Sequence, residues 1–310
     1  MAGRGSRSGN RTKLHLAAIG FILPALIIYA LFVLYPLIVS LWGSFFQWRG
    51  VRQMGFVGLS NFERLFVFPN GPKFTGAFWH NVAWFFGIMV FQNAVGLIFA
   101  WLLFWRKKFG VFLQSVFFFP AVLSPVIVGA LWRLLLAPNG LVEWLLNNAG
   151  LHQGRLTVLS DGDWALWVLM AIDAWNWMGL PVLIFAAGFR QISQEVFEAA
   201  RIDGASTTRT LFSIALPLLI PSISSVTTLT FINSFNQFDI VYVMEGVQGS
   251  PNFATDTLVT FFYRLAFGSV GSTGITDTGL ALALGTILFL IVTIGSVLML
   301  RAFDRAAVQP

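Results

Sequence analysis

The sequence contains no cysteine and few charged residues. Because Cys is absent, disulfides, thiolate metal sites and cysteine nucleophiles are excluded. The three histidines lie far apart along the chain, which argues against a shared metal site. Charged residues make up 10% of the 310 residues and hydrophobic residues 57%, which leaves too little polar surface to cover a soluble globule. The composition therefore predicts an integral membrane protein without a metal site.

Motifs of two enzyme classes are also missing. The sequence has no Gly-x-x-x-x-Gly-Lys-Ser/Thr phosphate loop, so we do not expect the chain to bind or hydrolyse ATP. A membrane enzyme, such as a lipid-linked glycosyl or acyl transferase, needs clustered carboxylates or histidines at a membrane face. The acids between the later apolar segments form no such motif: Asp161, Asp163, Glu245, Asp256 and Asp277. We therefore interpret the chain as a membrane protein that is not an enzyme.

Long apolar segments make up most of the chain. Six of them are long enough to cross a bilayer as helices, at about 17–41, 80–105, 111–136, 164–189, 212–236 and 279–300. A helix satisfies its own backbone hydrogen bonds in lipid, and the internal prolines predict bends. The first segment is too long for the core of a cleaved signal peptide. We predict an all-α integral membrane protein with six transmembrane helices in one domain, 17–305, flanked by a basic tail, 1–16, and a C-terminal tail, 306–310.

The net charge of +6 comes from basic residues that stand beside apolar segments. Such residues are typical of membrane topology signals, and we expect no nucleic acid partner. The six-helix prediction places twelve Lys and Arg on the side of both termini and six on the other side. Because cytoplasmic loops carry the excess of Lys and Arg, both termini and the loop between helices 4 and 5 are predicted to be cytoplasmic.

That loop, at about 190–212, is polar and ordered in its pattern. Ser193 is a suitable cap for a short helix with acids in its first turns, Gly204 ends that helix, and Ser206 is a suitable cap for a second helix. The pattern predicts helix, glycine turn, helix. Its small and charged residues suit docking into a cleft of a cytoplasmic protein, and they equally suit a linker helix on the membrane surface.

The spacing in this loop resembles a known signature. Glu198-Ala199-Ala200, three residues, Gly204, nine residues, Ile214, one residue and Leu216-Pro217 match the EAA motif of permease subunits of binding-protein-dependent ABC importers. Further segments resemble the carbohydrate, maltose-type branch: Tyr35-Pro36, GLSNF at 58–62, EAARIDGAS at 198–206, FNQFDIVYV at 235–243 and GLALALG at 279–285. The segment MEGVQGSPNFATDTL departs from the Thr-x-Gly-Gly-Pro turn of that branch.

The resemblance implies a function and a set of partners. The chain would be a permease subunit of an ATP-driven sugar importer in a bacterial or archaeal inner membrane, where membrane lipid surrounds it. It would pair with a second, different permease, two copies of an ATPase subunit that hold ATP and Mg, and an extracytoplasmic solute-binding protein. In the family the loop forms a coupling helix, so the implied ATPase contacts and links are Glu198, Ala199, Ala200, Asp203, Gly204, Leu216 and Pro217.

Polar side chains within the predicted membrane helices indicate a substrate pathway, because such groups are costly in lipid. The fourth helix carries Asp173, Trp175 and Asn176, and the fifth carries four more near its end: Asn233, Asn236, Gln237 and Asp239. Aromatic faces with amide and carboxylate partners suit sugars. The alternative is that these side chains form hydrogen bonds between helices.

Two other functions stay open at the sequence level. The substrate could be glycerol-3-phosphate or a glycerophosphodiester, which relatives in the resembled family also carry. A proton-coupled secondary transporter would use Asp173 as its proton site, although the EAA spacing would then have no role. The sequence also shows no inverted repeat of the kind found in many secondary transporters.

Overall fold

The computed structural model describes residues 19–105, 110–151, 154–268 and 276–306. The predicted tail 1–16 lies outside these ranges, as do residues 307–310 of the predicted C-terminal tail. The described chain is mostly helical, which confirms the predicted all-α class. Three helices are long and apolar enough to cross a membrane: α1 (Ile19–Gly43), α3 (Asn70–Trp105) and α14 (Thr278–Ala306).

Three further segments are pairs of helices with a sharp bend between them. These pairs are α4 (Gly110–Val122) with α5 (Pro125–Leu135), α7 (Gly162–Trp177) with α8 (Gly179–Gln191), and α10 (Thr207–Leu218) with α11 (Ile220–Phe235). The bends are 87°, 48° and 73°. The described residues thus contain three helices that are long and apolar enough to span a membrane, or up to six spans if each bent pair crosses once.

Proline explains two of the bends. Pro125 occupies the first turn of α5, where Ser124 caps the helix by accepting a hydrogen bond from the Val126 amide. Pro221 stands in the first turn of α11. Proline lacks an amide hydrogen and fixes its own φ, so it starts a new helix more easily than it continues an old one. The bent helices expected from the prolines are therefore present.

Short elements connect these segments. A hairpin of β1 (Phe46–Arg49) and β2 (Arg52–Phe56) follows α1, and the sequence analysis did not predict it. The short helices are α2 (Ser60–Phe66), α6 (Leu141–Asn148), α9 (Gln194–Ile202), α12 (Asp239–Glu245) and α13 (Leu258–Phe267). The Asn61 side-chain amide donates to the carbonyls of Ser44 and Phe46, which fixes α2 against the start of the hairpin.

Polar contacts between helices accompany the apolar packing. The Asn81 amide of α3 donates to the Ser234 carbonyl of α11 at 2.6 Å, and its oxygen accepts from the Leu258 amide at 2.9 Å. One buried asparagine therefore holds α3, α11 and α13 together. Satisfied contacts of this kind fix the register of helices in lipid, where apolar surface alone does not.

A buried ion pair orders the segment that departs from the resembled branch. Arg264 donates to the Asp256 carboxylate at 2.6 Å, and the side chains are 11% and 1% exposed. Thr260 also donates to Asp256, and the Arg264 guanidinium lies 5.1 Å from the centre of the Phe253 ring. The segment 244–258 is thus held against α13 by charge and by ring contacts.

Candidate functional site

A polar cavity lies where the bent helix pairs meet α3. Its volume is about 220 Å³. Side chains from α3, α7, α8, α11 and α12 line it, together with Pro125 at the start of α5. The helix ends at the α7–α8 bend and at the connection between α11 and α12 therefore come together around one space.

Asp173 lies in the wall of this cavity and takes its hydrogen bonds from neutral groups. The Trp84 indole nitrogen donates to the Asp173 carboxylate at 3.1 Å. The Gln237 side chain forms a second hydrogen bond, and Asp239 is close enough to act on Asp173 electrostatically. The cavity thus joins a carboxylate from α7 to polar groups from α3 and from the connection between α11 and α12.

Five of the seven residues predicted for the substrate pathway line this cavity: Asp173, Asn233, Asn236, Gln237 and Asp239. The other two do not. Trp175 is 43% exposed and its ring meets the Trp132 ring edge-on, with centroids 5.9 Å apart. Asn176 is 1% exposed, and neither polar atom of its amide has a hydrogen-bond partner among the described residues.

Helix periodicity explains the position of Trp175. Asp173 and Trp177 are one turn apart and share the face of α7 that lines the cavity, whereas Trp175, two positions after Asp173, lies on the other side of the helix. Periodicity alone does not exclude Asn176, which is buried outside the cavity lining. The same periodicity could have identified residues that the sequence analysis missed. Trp84, Ile88 and Gln92 recur at every fourth position of α3, and all three line the cavity.

The loop with the EAA spacing has the predicted local structure. The Ser193 hydroxyl caps α9 by accepting from the Glu195 amide, and the Ser206 hydroxyl caps α10 by accepting from the Arg209 amide. Gly204 joins them with φ of +73°, a left-handed conformation that favours glycine. Helix, glycine turn and helix are thus confirmed as a unit.

The residues expected to contact a partner divide by exposure. Glu198, Ala199, Asp203 and Gly204 are exposed, whereas Ala200 is 4% exposed and faces its own chain. Leu216 and Pro217 are partly buried in α10. Ile202, which the sequence analysis did not select, is 86% exposed beside these residues. We call Glu198, Ala199, Ile202, Asp203 and Gly204 the α9 face.

An aromatic cluster fixes α9 to the ends of two longer helices. Phe197 is 3% exposed, and its ring lies among those of Trp101, Phe104 and Trp105 of α3 and Phe189 of α8. The ring centroids of Phe197 and Phe104 are 5.2 Å apart. We call these four rings the aromatic socket. Sequence spacing gave no signal for it, because the rings come from separate parts of the chain.

Arg201 adds a second attachment one turn further along α9. Its guanidinium lies 4.7 Å from the centre of the Trp105 ring, at a distance where a cation and an aromatic ring attract each other. Phe197 and Arg201 are one turn apart on the side that meets the aromatic socket, while Glu198 and Ile202 are one turn apart on an adjacent, exposed side. The helix is thus held on one side and free on the other.

Three features together are those of a membrane transport subunit: the bent helices, the polar cavity, and a helix α9 that packs against α3 and leaves the α9 face exposed. The chain belongs to the family of binding-protein-dependent transport system inner membrane components, whose model matches residues 92–308. Family membership accounts for the EAA spacing and makes the chain a transport component. It also confirms the importer family indicated by the sequence.

Relatives cover most of the chain. It is 29% identical over 282 residues to a multiple sugar-binding transport system permease protein of Streptococcus mutans, covering 91% of this chain and 93% of the relative. It is 30% identical over 286 residues to an arabinooligosaccharides transport system permease protein of Bacillus subtilis, covering 91% and 86%. Its fold is similar to a crystal structure of a bacterial ABC transporter involved in alginate import, with a TM-score of 0.80, 20% identity, and coverage of 97% and 99%.

Proposed function

We propose that this chain is the transmembrane permease subunit of an ATP-driven sugar importer, and that it couples to a separate ATPase through the α9 face. The observation that carries the proposal is a continuous connection between the cavity and α9. Gln92 of α3 and Ile184 of α8 line the cavity, while Trp101 of α3 contacts both Phe197 of α9 and Phe189 of α8. Both helices therefore line the cavity at one part and belong to the cluster around Phe197 at another.

The connection suits transmission of rigid-body motion. From Gln92 to Trp101 the helix α3 rises about 14 Å at 1.5 Å per residue. A displacement of α9 by a partner acts on α3 and α8 through the aromatic socket. Small sliding movements of packed helices are one of the common forms of conformational switching in proteins. Within this proposal ATP and Mg²⁺ bind to the partner, and this chain supplies the mechanical response.

The α9 face has the chemistry of a docking surface. Ile202 is an apolar side chain that is 86% exposed, and Glu198 and Asp203 flank it with negative charge. Exposed apolar residues rimmed by charge are typical of protein contacts. Ala199 and Gly204 allow close approach because their side chains are small or absent. Ala200, Leu216 and Pro217 are assigned to the connection between the face and the helices.

Sugar is the proposed substrate class. The cavity presents the Trp84 and Trp177 rings together with amides and carboxylates, which are the groups that stack on and bind sugar hydroxyls. The names of the Streptococcus and Bacillus relatives support the same class. A proton-coupled secondary transporter is disfavoured, because it gives the α9 face no role.

The proposed assembly contains this chain, a second permease subunit, two ATPase subunits and an extracytoplasmic binding protein. A related alginate transporter was solved in complex with a periplasmic protein that holds an alginate pentasaccharide, which supports the last partner. The cavity of about 220 Å³ is smaller than the roughly 300–1,000 Å³ of ordinary ligand pockets. We infer that this chain forms half of the pathway and the second permease the other half.

The proposed topology has six spans in a bacterial or archaeal inner membrane, with both termini and α9 on the cytoplasmic side. Three single helices and three bent pairs supply the six spans. The excess of Lys and Arg on the side of the termini supports the orientation. The ATPase would then meet the α9 face from the cytoplasm.

The test is reconstitution after gentle purification of the tagged chain from its native membrane. We expect an ATPase, a second permease and a binding protein to co-purify, and we expect proteoliposomes with this complex to take up a neutral oligosaccharide only when ATP is present inside. Purification of the chain alone, or uptake that follows a proton gradient without ATP, contradicts the proposal.

A further inference from the structure

The ionisable groups that line the cavity all carry the same sign of charge. They are Asp173 of α7 and Asp239 of α12. Among the described residues, no Lys, Arg or His lines the cavity. A cleft lined by one sign of charge between low-dielectric walls produces a strong potential of that sign. A negative potential is therefore built into the space around Asp173.

The chain itself does little to neutralise this charge. The hydrogen-bond donors to Asp173 are the Trp84 indole and the Gln237 amide, and both are neutral groups. The ion pairs Arg64–Asp277 and Arg264–Asp256 involve neither cavity carboxylate. Neutral donors orient a carboxylate but leave its field largely in place.

An independent observation extends the pattern from charge to hydrogen bonding. Asn93 lines the cavity and is 3% exposed. Its amide nitrogen donates to the Thr230 hydroxyl at 2.7 Å, while its amide oxygen has no hydrogen-bond partner among the described residues. A buried acceptor without a partner is costly. The polar atom that Asn93 leaves without a partner is therefore an acceptor, like the carboxylates, and not a donor.

We infer that the cavity selects sugars by charge: it admits ligands whose polar groups are hydroxyls or amines and excludes ligands that carry carboxylate or phosphate groups. This inference rests on the proposed sugar function and narrows its substrate class. Hydroxyl and ammonium groups donate to Asp173 and Asp239, whereas an anionic group meets like charge and finds no Lys, Arg or His among the described residues that line the cavity. Repulsion of the wrong ligand is a recognised source of specificity.

The same charge pattern applies to the alternative substrates considered from the sequence, glycerol-3-phosphate and glycerophosphodiesters. Both kinds of compound are anionic, and the side chains that ordinarily bind phosphate are those of Arg and Lys. The described lining of this cavity has no Arg or Lys. We therefore place these phosphate compounds among the excluded ligands.

The experiment uses the complete purified complex in lipid nanodiscs without the binding protein, so that selection upstream does not contribute. Three trisaccharides serve as probes: a glucosamine trimer with amines, its neutral N-acetylated form, and a galacturonic acid trimer. Binding is measured by equilibrium dialysis at low ionic strength. We expect the anionic trimer to bind at least about tenfold more weakly than the neutral one, and the amine trimer to bind at least as tightly.

Variants assign the discrimination to the cavity. Asp173→Asn with Asp239→Asn keeps the shape of both side chains and removes both charges, so the difference between the neutral and anionic trimers should fall to less than about threefold. Asn233→Asp adds a third carboxylate and should widen the difference. Equal changes in both affinities, or no change in their ratio, would overturn the assignment to these carboxylates.

The outcomes separate this inference from the proposed function. Equal binding of the three probes to the wild-type complex overturns charge selection and leaves the sugar function standing. Tighter binding of the anionic trimer overturns it as well. Binding of none of the three contradicts the sugar function, and the inference fails with it.

Discussion

Replacing Phe197 with alanine should uncouple transport while leaving the membrane helices folded. Phe197 is 3% exposed, and its ring contacts three rings of the aromatic socket, those of Trp101, Phe104 and Trp105. Truncation of a buried phenylalanine costs about 3–5 kcal/mol. The helix α9 has nine residues, and isolated helices of that length are marginal in water. The helical, packed conformation of α9 therefore depends on the contact between Phe197 and the aromatic socket.

The magnitude follows from that cost. A loss of about 3 kcal/mol lowers the ratio of α9 packed against the aromatic socket to α9 detached from it by about two orders of magnitude, since each 1.4 kcal/mol is a factor of ten. Uptake by reconstituted complexes should fall by at least about tenfold. ATP hydrolysis should continue without stimulation by substrate, because the ATPase no longer moves α3 and α8. Both rates are measured on the same proteoliposomes.

A matched control separates coupling from general destabilisation. Phe212 of α10 is 63% exposed, so Phe212→Ala removes the same atoms from a side chain outside the core. It should retain wild-type uptake, and both variants should insert in normal amounts. Wild-type uptake by a stably inserted Phe197→Ala protein would refute the role of the aromatic socket.

Three further predictions concern single positions. At Gly204, φ is +73° and an added Cβ would meet nothing within 4 Å, so Gly204→Ala should cost only about 1–2 kcal/mol of backbone strain. Gly204→Asp should abolish uptake because the larger, charged side chain obstructs the partner. Equal uptake by the two variants would contradict a partner contact at this position. Ile202→Glu should leave thermal unfolding unchanged because the side chain is 86% exposed, yet reduce co-purification of the ATPase; unchanged co-purification would count against docking there. Asp256→Asn leaves the buried Arg264 without its ion pair and should destabilise the solubilised protein by about 3–5 kcal/mol, seen as a lower unfolding temperature; an unchanged midpoint would show that the pair contributes little.

Local sequence signals predicted the α9 loop well. Ser193, Gly204 and Ser206 determine caps and a left-handed turn through interactions with neighbours in the chain, and the structure shows each of them. The prolines likewise predicted bends, because loss of an amide hydrogen acts where the residue stands. The hairpin at Phe46–Phe56 was missed because its strands are short and stand directly after an apolar span.

Contacts between distant parts of the chain could not be predicted in the same way. Phe197 and Trp105 meet only because α3 and α8 end side by side, and no pattern within α9 indicates this. In α7 the composition marked Asp173, Trp175 and Asn176 as one polar group. Of these three residues only Asp173 lines the cavity: Trp175 is two positions away, on the other side of the helix, and Asn176 is buried outside the cavity lining.

The central claim is that an ATPase docks on the α9 face, and site-specific crosslinking tests it most directly. The chain has no cysteine, so Ile202→Cys introduces a single thiol on that face, and Phe212→Cys introduces one on an exposed position of α10. Each complex is treated with a short reagent that carries a maleimide for the introduced thiol and a photoreactive diazirine that inserts into any neighbouring side chain, and the adducts are identified by mass spectrometry. The account predicts a crosslink from Ile202→Cys to an ATPase subunit and none from Phe212→Cys. Absence of an ATPase adduct from Ile202→Cys, or equal adducts from both variants, would contradict docking on the α9 face.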